Sequence, residues 1–402
     1  MSSKLTTDFL VIGGGIIGIC LSLELKKRFP DSSITVLEKE NAPGQHASGR
    51  NSGVLHAGFY YTADSLKAKL TRDGNRELTE YCIDRNLAIN RCGKLVVTKN
   101  ESELAGLQEL MHRGKVNSVE VEIISAHDAK KIESRVKTCE QALFSPTTSS
   151  VDPAEVMESL FADAQAAGIQ FVMGSTFQSH NGQRINTSTE TIHAGYVINA
   201  AGLYADKIAR QFGFAQQFTI LPFRGVYLYA DKVEKLKTNI YPVPDIDNPF
   251  LGVHFTVAVD GKVKIGPTAM PAFWRENYQG INNFRFGEFL NITCIETKLF
   301  LTNKFNFRKL AFEELSKLSR KNLVTFASKL AEDIKIENYT QWGKPGIRAQ
   351  LLNTETGVLE MDFKFEGDDK SFHVLNAVSP AFTCAIPFAR LMIDEIEKLY
   401  IN

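Results

Sequence analysis

The chain opens on a tightly punctuated apolar pattern. Phe9-Leu10-Val11-Ile12 is a short unbroken apolar run of the kind that forms a strand buried on both faces. Apolar residues then recur at helical spacing through Ile16, Ile17, Cys20, Leu21 and Leu25, and a second run, Ile34 to Leu37, follows. Strand, helix and strand in that order predict a parallel βαβ unit. Further along, the spacing predicts a helix over 65–85, a strand over 90–98, an amphipathic helix over 101–113, and strands over 169–173 and 191–199. Asp152-Pro153 sets an N-cap before a proline at the first helical position, predicting a helix over 154–167 that stops at Gly168. From Leu221 the character becomes β-rich, with strands over 225–230, 251–259 and 262–266 and a hairpin turn at Asp260-Gly261. A strand over 372–377, a turn over Val378-Ser379-Pro380-Ala381 and a helix over 382–399 restore the first pattern at the end.

The expected fold class is α/β, α+β overall. A Rossmann-like nucleotide-binding domain is expected from 1–85, 145–220 and 336–402. A second domain, built on an antiparallel β-sheet and holding the substrate, is expected from 86–144 and 221–335.

Between the first strand and helix stand Gly13, Gly15 and Gly18, spaced G-x-G-x-x-G. The first allows the tight turn, the second lets backbone approach a pyrophosphate, and the third lets helix and strand pack closely. The helix N-terminus presents N–H groups and a positive dipole end to phosphate. Glu38, about 20 residues past the last glycine, ends the second strand, where a carboxylate can bond ribose hydroxyls. Three glycines alone are a weak signal. Set between strand and helix, with that acid in place, they point to FAD or NAD. The strand over 191–199 also empties into Ala200-Ala201-Gly202 and a helix, a second geometry suited to close approach of phosphate or ring.

Composition narrows the classes. The 402 residues carry 46 basic and 46 acidic side chains, so no basic field points to nucleic acid. The six cysteines have no C-x-x-C spacing, which fits buried thiols in a reducing compartment and gives no metal site. The first strand leaves no room for a targeting segment ahead of it, so the expectation is a cytoplasmic protein. Phe284, Phe286, Phe289, Phe300, Phe305, Phe307 and Phe312 crowd a stretch rich in Lys and Arg. Their first reading is core of the second domain; the alternative is a patch that meets a membrane surface.

Among the candidates for chemistry, His56 lies in SGVLHAG on the loop after the nucleotide unit, and His254 lies within a strand. An imidazole, with an ordinary pKa near ~6.5, suits a base at neutral pH. Arg348 follows Pro345-Gly346, and arginine suits a two-point grip on a carboxylate. No nucleophile elbow, P-loop or H-E-x-x-H is present.

On GGGIIG with Glu38, and on VINAAGLYAD (197–206), the chain resembles the FAD-dependent oxidoreductases of the D-amino-acid-oxidase superfamily. Within it, HASGRNSGVLHAGFYY, LPFRGVYLY (221–229), PVPDIDNPFLGVHFT (242–256), KIGPTAMPAFWREN (264–277), KPGIRAQL (344–351) and LNAVSPAFTCA (375–385) resemble the L-2-hydroxyglutarate dehydrogenase/oxidase family. The resemblance implies FAD held in a domain of the glutathione-reductase type. Gly13, Gly15, Gly18 and Glu38 would take the ADP half, and Ser48, Arg50, Asn51, Ser52 and Gly53 the pyrophosphate and ribityl region. Phe177 would meet adenine through its backbone and Gly202 the pyrophosphate. Ser379, Ala381 and Thr383 would lie against the flavin ring.

It also implies a small 2-hydroxy dicarboxylic acid as substrate, giving up its C2 hydrogen as hydride to the flavin. Arg348 would grip one carboxylate, Arg224 or Lys264 the other, and His56, ahead of His254, would take the hydroxyl proton. Electrons would pass to a quinone or O2, with peripheral attachment at the inner face of the cell membrane as one setting. Val378, Val226, Phe382, Cys384, Pro387 and the stretch 284–310 depart from the family pattern. That leaves glycerol 3-phosphate, an amino acid or another 2-hydroxy acid open as substrates, and a flavin-bearing scaffold without turnover as a different class.

Overall fold

The computed structural model describes residues 5–62, 65–231, 234–245 and 250–400. Residues 246–249, part of one family-like block, lie outside it. The chain forms two compact units. One comprises Met1–Asn51, Pro153–Leu221 and Arg348–Asn402; the other comprises Ser52–Asp152 and Pro222–Ile347.

The first unit is built on the predicted βαβ start. Strand Leu5–Ile12 pairs in parallel with Ile34–Leu37 and with Thr191–Asn199, and Gln170–Val172 and Ser371–Asn376 extend the parallel run at either side. Strands Phe177–Asn181 and Arg184–Thr187 form an antiparallel hairpin on the Thr191 strand. Strands buried on both faces need continuous apolar sequence. Ile34–Leu37 is buried at every position, and Leu10, Ile12, Leu37, Ile192 and Val197 form the core with Ile208. Helix Ile16–Arg28 buries Ile16, Ile17, Ile19, Cys20, Leu21 and Leu25 and packs against helices Pro153–Ala166 and Ala381–Tyr400.

Two glycines are required there by space. Gly13 has φ +115°, and a side chain on it would meet the Ala200 carbonyl oxygen at 2.5 Å. One on Gly18 would lie 1.9 Å from the Gly13 carbonyl oxygen. Helix and turn can close on each other only because both positions are bare.

The second unit is built on an eight-stranded sheet. Its order is Tyr339–Trp342, Leu228–Ala230, Val263–Gly266, His254–Val257, Asn239–Pro242, Lys94–Val97, Gln141–Ser145 and Glu122–Ser125. It is antiparallel as expected except for one parallel pair, Asn239–Pro242 with Lys94–Val97. The predicted 251–259 and 262–266 hairpin is present, with the Lys262 N–H donating to Asp260 Oδ1.

The pairing register divides this sheet into two faces. Leu95, Val97, Ile240, Phe255, Val257, Val263, Ile265, Leu228 and Ala230 belong to one core with Leu323, Val324 and Ala327 of helix Arg320–Ala327. The alternate positions, Lys94, Asn239, Tyr241, His254, Thr256, Lys264 and Tyr229, share the other face, since side chains on a strand alternate and neighbours across a ladder point the same way.

Several expectations need correction. The segment 52–85, expected in the nucleotide domain, packs in the second unit, as do 145–152 and 336–347. The reason is a small sheet: Val54–Leu55 and Ile89–Asn90 both pair with Ser149–Val151. Asn75, on helix Leu66–Asp84, donates to the carbonyls of Leu55 and Thr147 and ties that helix to it. The expected single strand over 90–98 is two strands that join different sheets, broken at Gly93 with φ +66°. Residues 286–327 form helices Phe286–Thr302, Phe307–Ser316 and Arg320–Ala327. The phenylalanines there are not uniformly core. Phe307 is buried, but Phe284, Phe286, Phe300 and Phe312 are exposed.

Candidate active site

In the first unit the predicted nucleotide residues gather around one helix end. Gly15 is the N-cap of helix Ile16–Arg28 and gives it no side-chain cap. The first turn carries no acidic residue, so the positive end of the helix is not neutralised from within. Ser48 Oγ accepts from the Ile16 N–H at 2.9 Å and would be 3.0 Å from any Cβ on Gly15. Asn51 Nδ2 donates to the Ser48 carbonyl at 2.7 Å, and Arg50 Nε to the Gln45 carbonyl at 2.7 Å. The Glu38 carboxylate accepts from the N–H groups of Gly14 (2.7 Å) and Glu40 (2.9 Å), which fixes it at the end of its strand.

Gly202, φ +52°, begins a short 3-10 turn after the Thr191 strand, with no atom within 4 Å of where its Cβ would be. Asn199 organises that turn. Its Oδ1 accepts from the Ala201 N–H, and its Nδ2 donates to the Ala205 carbonyl and to His373 Nδ1. Phe177 starts the hairpin strand and faces Phe212, ring centroids 6.1 Å apart. Ser379 is exposed just before helix Ala381–Tyr400, whose first turn buries Ala381 and Thr383. Arg348 lies half-buried on strand Gly346–Asn353. An acid-free helix end beside a fixed carboxylate fits the diphosphate and ribose of a dinucleotide.

In the second unit His254 and Lys264 lie on the polar face of the large sheet, and His56 follows strand Val54–Leu55 of the small one. His254 is buried. Its Nδ1 is 2.8 Å from the Gly252 carbonyl and therefore carries the proton in the neutral ring, which leaves Nε2 as the basic nitrogen. Its ring stacks on Tyr241 at 3.8 Å. Lys264 is buried, donates to the Ser52 carbonyl at 2.9 Å, and lies over the rings of Tyr227 and Tyr229 at 4.8 and 5.5 Å. Burial brings its amine down to about 8 against the opposing pull of Asp260 and Asp152. Ser52 and Gly53, expected at the pyrophosphate, are engaged here as well: the Gly53 carbonyl accepts from the Val151 N–H. Arg224 is half-buried beside Met270 on the neighbouring strand; burial lowers its pKa, and its Nε finds no acceptor among the described residues.

His56 is held neutral. Burial is the largest cause, followed by the positive charges of Lys94 and His254, and together they take its pKa well below the usual imidazole value. An imidazole neutral throughout the physiological range is a proton acceptor.

The decisive comparison is with protein families. Residues 8–395 match the family described as FAD dependent oxidoreductase (DAO). The chain belongs to that family. FAD is its cofactor, and it is an FAD-dependent oxidoreductase of mixed α/β fold. It is 36% identical over 423 residues to human mitochondrial L-2-hydroxyglutarate dehydrogenase, covering 99% of this chain and 90% of the relative. It is 32% identical over 400 residues to L-2-hydroxyglutarate dehydrogenase of Escherichia coli K12, covering 98% and 93%. Among solved structures it superimposes on L-alpha-glycerophosphate oxidase from Mycoplasma pneumoniae with FAD bound, with TM-score 0.78, 22% identity, and 98% and 95% of the two chains covered. Glycine oxidase from Geobacillus kaustophilus gives TM-score 0.72 at 17% identity, with 98% and 95% covered.

Sequence reasoning missed one buried cation on this face. Lys94 is 0% exposed on the same face as Tyr241 and His254, with its amine 4.2 Å from the Tyr241 ring centroid and 5.2 Å from that of Tyr60. The only signal in sequence is a lysine opening an otherwise apolar strand, Lys94-Leu95-Val96-Val97.

Proposed function

We propose that the chain oxidises L-2-hydroxyglutarate to 2-oxoglutarate. The observation that carries this reading is the polar sheet face on which the amines of Lys94 and Lys264 and the imidazole of His254 are buried together. Such a face suits a substrate that brings its own negative charge. The identity to L-2-hydroxyglutarate dehydrogenases over nearly the whole chain supports the same choice.

FAD, when bound, accepts the C2 hydrogen together with its bonding electron pair. The chain's own residues do the rest. Gly13, Gly15, Gly18, Glu38, Ser48, Arg50 and Asn51 hold the dinucleotide, and the end of helix Ala381–Tyr400, with Ser379 and Thr383, favours negative charge beside it. Arg348 grips one substrate carboxylate in two-point fashion, and Lys264 or Arg224 meets the other. His56 takes the hydroxyl proton as C2 is oxidised, because it is kept unprotonated. His254, its proton committed to Gly252, supports it.

The test is anaerobic mixing of the yellow holoenzyme with L-2-hydroxyglutarate. Bleaching is expected. A colour that persists with it but bleaches with glycerol 3-phosphate, an amino acid or another 2-hydroxy acid moves the assignment to that substrate; persistence with all of them leaves a scaffold.

For re-oxidation we propose a quinone at a membrane surface, O2 being the other acceptor open to the enzyme. No helix among the described residues is long and apolar enough to cross a membrane. What supports a peripheral contact is the helical segment 284–321. Phe286, Leu301 and Phe312 are 65%, 69% and 64% exposed, amid exposed Lys298, Lys304, Arg308, Lys309 and Lys321. Exposed apolar side chains interspersed with cations suit an anionic bilayer surface, with the protein on its cytoplasmic side.

A further inference from the structure

The ring of His254 is fixed from three directions, and one of them ends on Lys94. The Gly252 carbonyl, 2.8 Å from Nδ1, sets one direction within the plane of the ring. It does not set the plane, because an imidazole can pivot about a single hydrogen bond. Two tyrosines do that. Tyr241 stacks on the ring, centroids 3.8 Å and planes 19° apart, and Tyr227 meets it edge-on at 6.4 Å. Each tyrosine in turn carries a lysine amine. Lys94 lies 4.2 Å from the centroid of Tyr241, and Lys264 lies 4.8 Å from that of Tyr227.

The pairing register explains the arrangement. The strand of Tyr241 runs between those of His254 and Lys94. Ile240 pairs with Phe255, which sets Tyr241 across from His254. Lys94 pairs with Asn239, two residues before Tyr241 and on the same face. Imidazole and amine therefore reach one ring from the strands on either side of it.

Rings are what hold the Lys94 amine. The residue is 0% exposed, and its Nζ has no hydrogen-bond partner among the described residues. Asn239 beside it is spent on the Gly93 carbonyl, Cys92 Sγ and the Val257 N–H. Ser145, opposite Lys94 on the other side, bonds Thr148. Phe59 and Tyr60, stacked on each other at 4.5 Å, complete the cage at 5.7 and 5.2 Å from the amine. An unbonded buried amine costs stability that an apolar chain of the same length would not. Contact with ring faces offsets part of that cost, and the nearest face is that of Tyr241. Burial brings the amine down to about 7, and in either form it presents N–H groups to the ring.

We propose that Lys94 is a positioning residue for His254: its amine holds the Tyr241 ring in place, and that ring holds the plane of the imidazole, so that Nε2 keeps one direction. This rests on the reading of His254 as part of the site that oxidises the substrate. The chain of contacts makes a specific demand. Lys94 matters to the reaction only while a histidine stands at 254.

A double-mutant cycle in FAD-loaded enzyme tests that demand. Lys94→Met keeps the length of the side chain and removes its N–H groups. It should lower the limiting rate of anaerobic flavin reduction by about tenfold, the size of a desolvated contact between a cation and a ring, with the loss in kcat rather than KM. In a His254→Gln background the same substitution should cost nothing further. Losses that multiply in the double variant overturn the proposal, because a packing role would be felt whichever residue stands at 254. His254→Gln at the wild-type rate overturns it as well, and leaves the substrate assignment to the bleaching experiment. A second readout needs no turnover. It is the Nδ1–H resonance of His254 in enzyme with 15N-labelled histidine, assigned by its loss in His254→Gln. In Lys94→Met that resonance should shift and broaden as the stacked ring loosens; an unmoved resonance overturns the proposal. Where Lys94→Met does not fold or hold FAD, Tyr241→Leu takes its place in the cycle, and losses that multiply there count against the proposal in the same way.

Discussion

Tyr241 lies nearly parallel to His254, ring centroids 3.8 Å apart and planes 19° apart. The same ring lies 4.2 Å from the Lys94 amine. Replacing it tests whether the ring face matters apart from its hydroxyl. Tyr241→Leu should lower kcat/KM by roughly tenfold, the upper range for one aromatic pair. Tyr241→Phe keeps the face and should stay within about threefold of the wild type. Steady-state kinetics at matched FAD content checks both.

His56→Gln should retain FAD and lose about 10²–10⁴-fold in the rate of anaerobic flavin reduction, the usual worth of a positioned base. Wild-type activity should persist below pH 6.5 and fall only as pH drops through the depressed imidazole value. Near-normal reduction by the variant would remove His56 from the chemistry.

Arg348→Met should raise KM and lower kcat/KM by roughly 10–100-fold, the loss of a charge-assisted hydrogen bond. Comparing L-2-hydroxyglutarate with a 2-hydroxy monocarboxylate shows which carboxylate it holds. Unchanged constants for both would take Arg348 out of the site.

Gly18→Ala and Gly15→Ala separate folding from cofactor binding. A methyl on Gly18 would lie 1.9 Å from a backbone carbonyl oxygen, so this variant should lose more than about 3 kcal/mol or fail to fold. A methyl on Gly15 meets only the Ser48 hydroxyl at 3.0 Å. That variant should fold, with FAD affinity reduced by about tenfold, the worth of one displaced hydrogen bond. Thermal unfolding and fluorescence titration with FAD read the two effects.

Vesicle flotation tests the membrane contact. Wild-type protein should rise with anionic vesicles, and Phe286→Asp with Leu301→Asp should leave it at the bottom of the gradient while flavin reduction by substrate is unchanged. Wild-type protein that remains wholly with the soluble fraction would count against attachment.

The fold was legible where one residue type admits one explanation. Gly13, Gly15, Gly18 and Glu38 sit where their spacing put them, because a βαβ turn leaves no choice of backbone. His254 and Lys264 were legible as candidates, and the register brings them to one face. Lys94 was not, because a lysine opening a strand reads like any solvated end. The approach of Phe59, Tyr60 and Tyr241, distant in sequence, surrounds its amine with rings. The segment 52–85 was assigned to the wrong unit because nothing local marks its departure; the pairing of Val54–Leu55 with Ser149–Val151 decides it. Helices 286–327 were obscured because their phenylalanines point both inward and outward.

The strand ladder running from Lys94 to Tyr229 sets packing groups and reactive groups on alternate positions of the same short segments. Substitutions at Leu95, Phe255 or Ile265 are thereby judged by how well they fill space, and those at Lys94, His254 or Lys264 by what they do to a buried polar face. Two kinds of selection can thus act on adjacent residues with little interference, so such a scaffold can trade one substrate for another without renegotiating its stability.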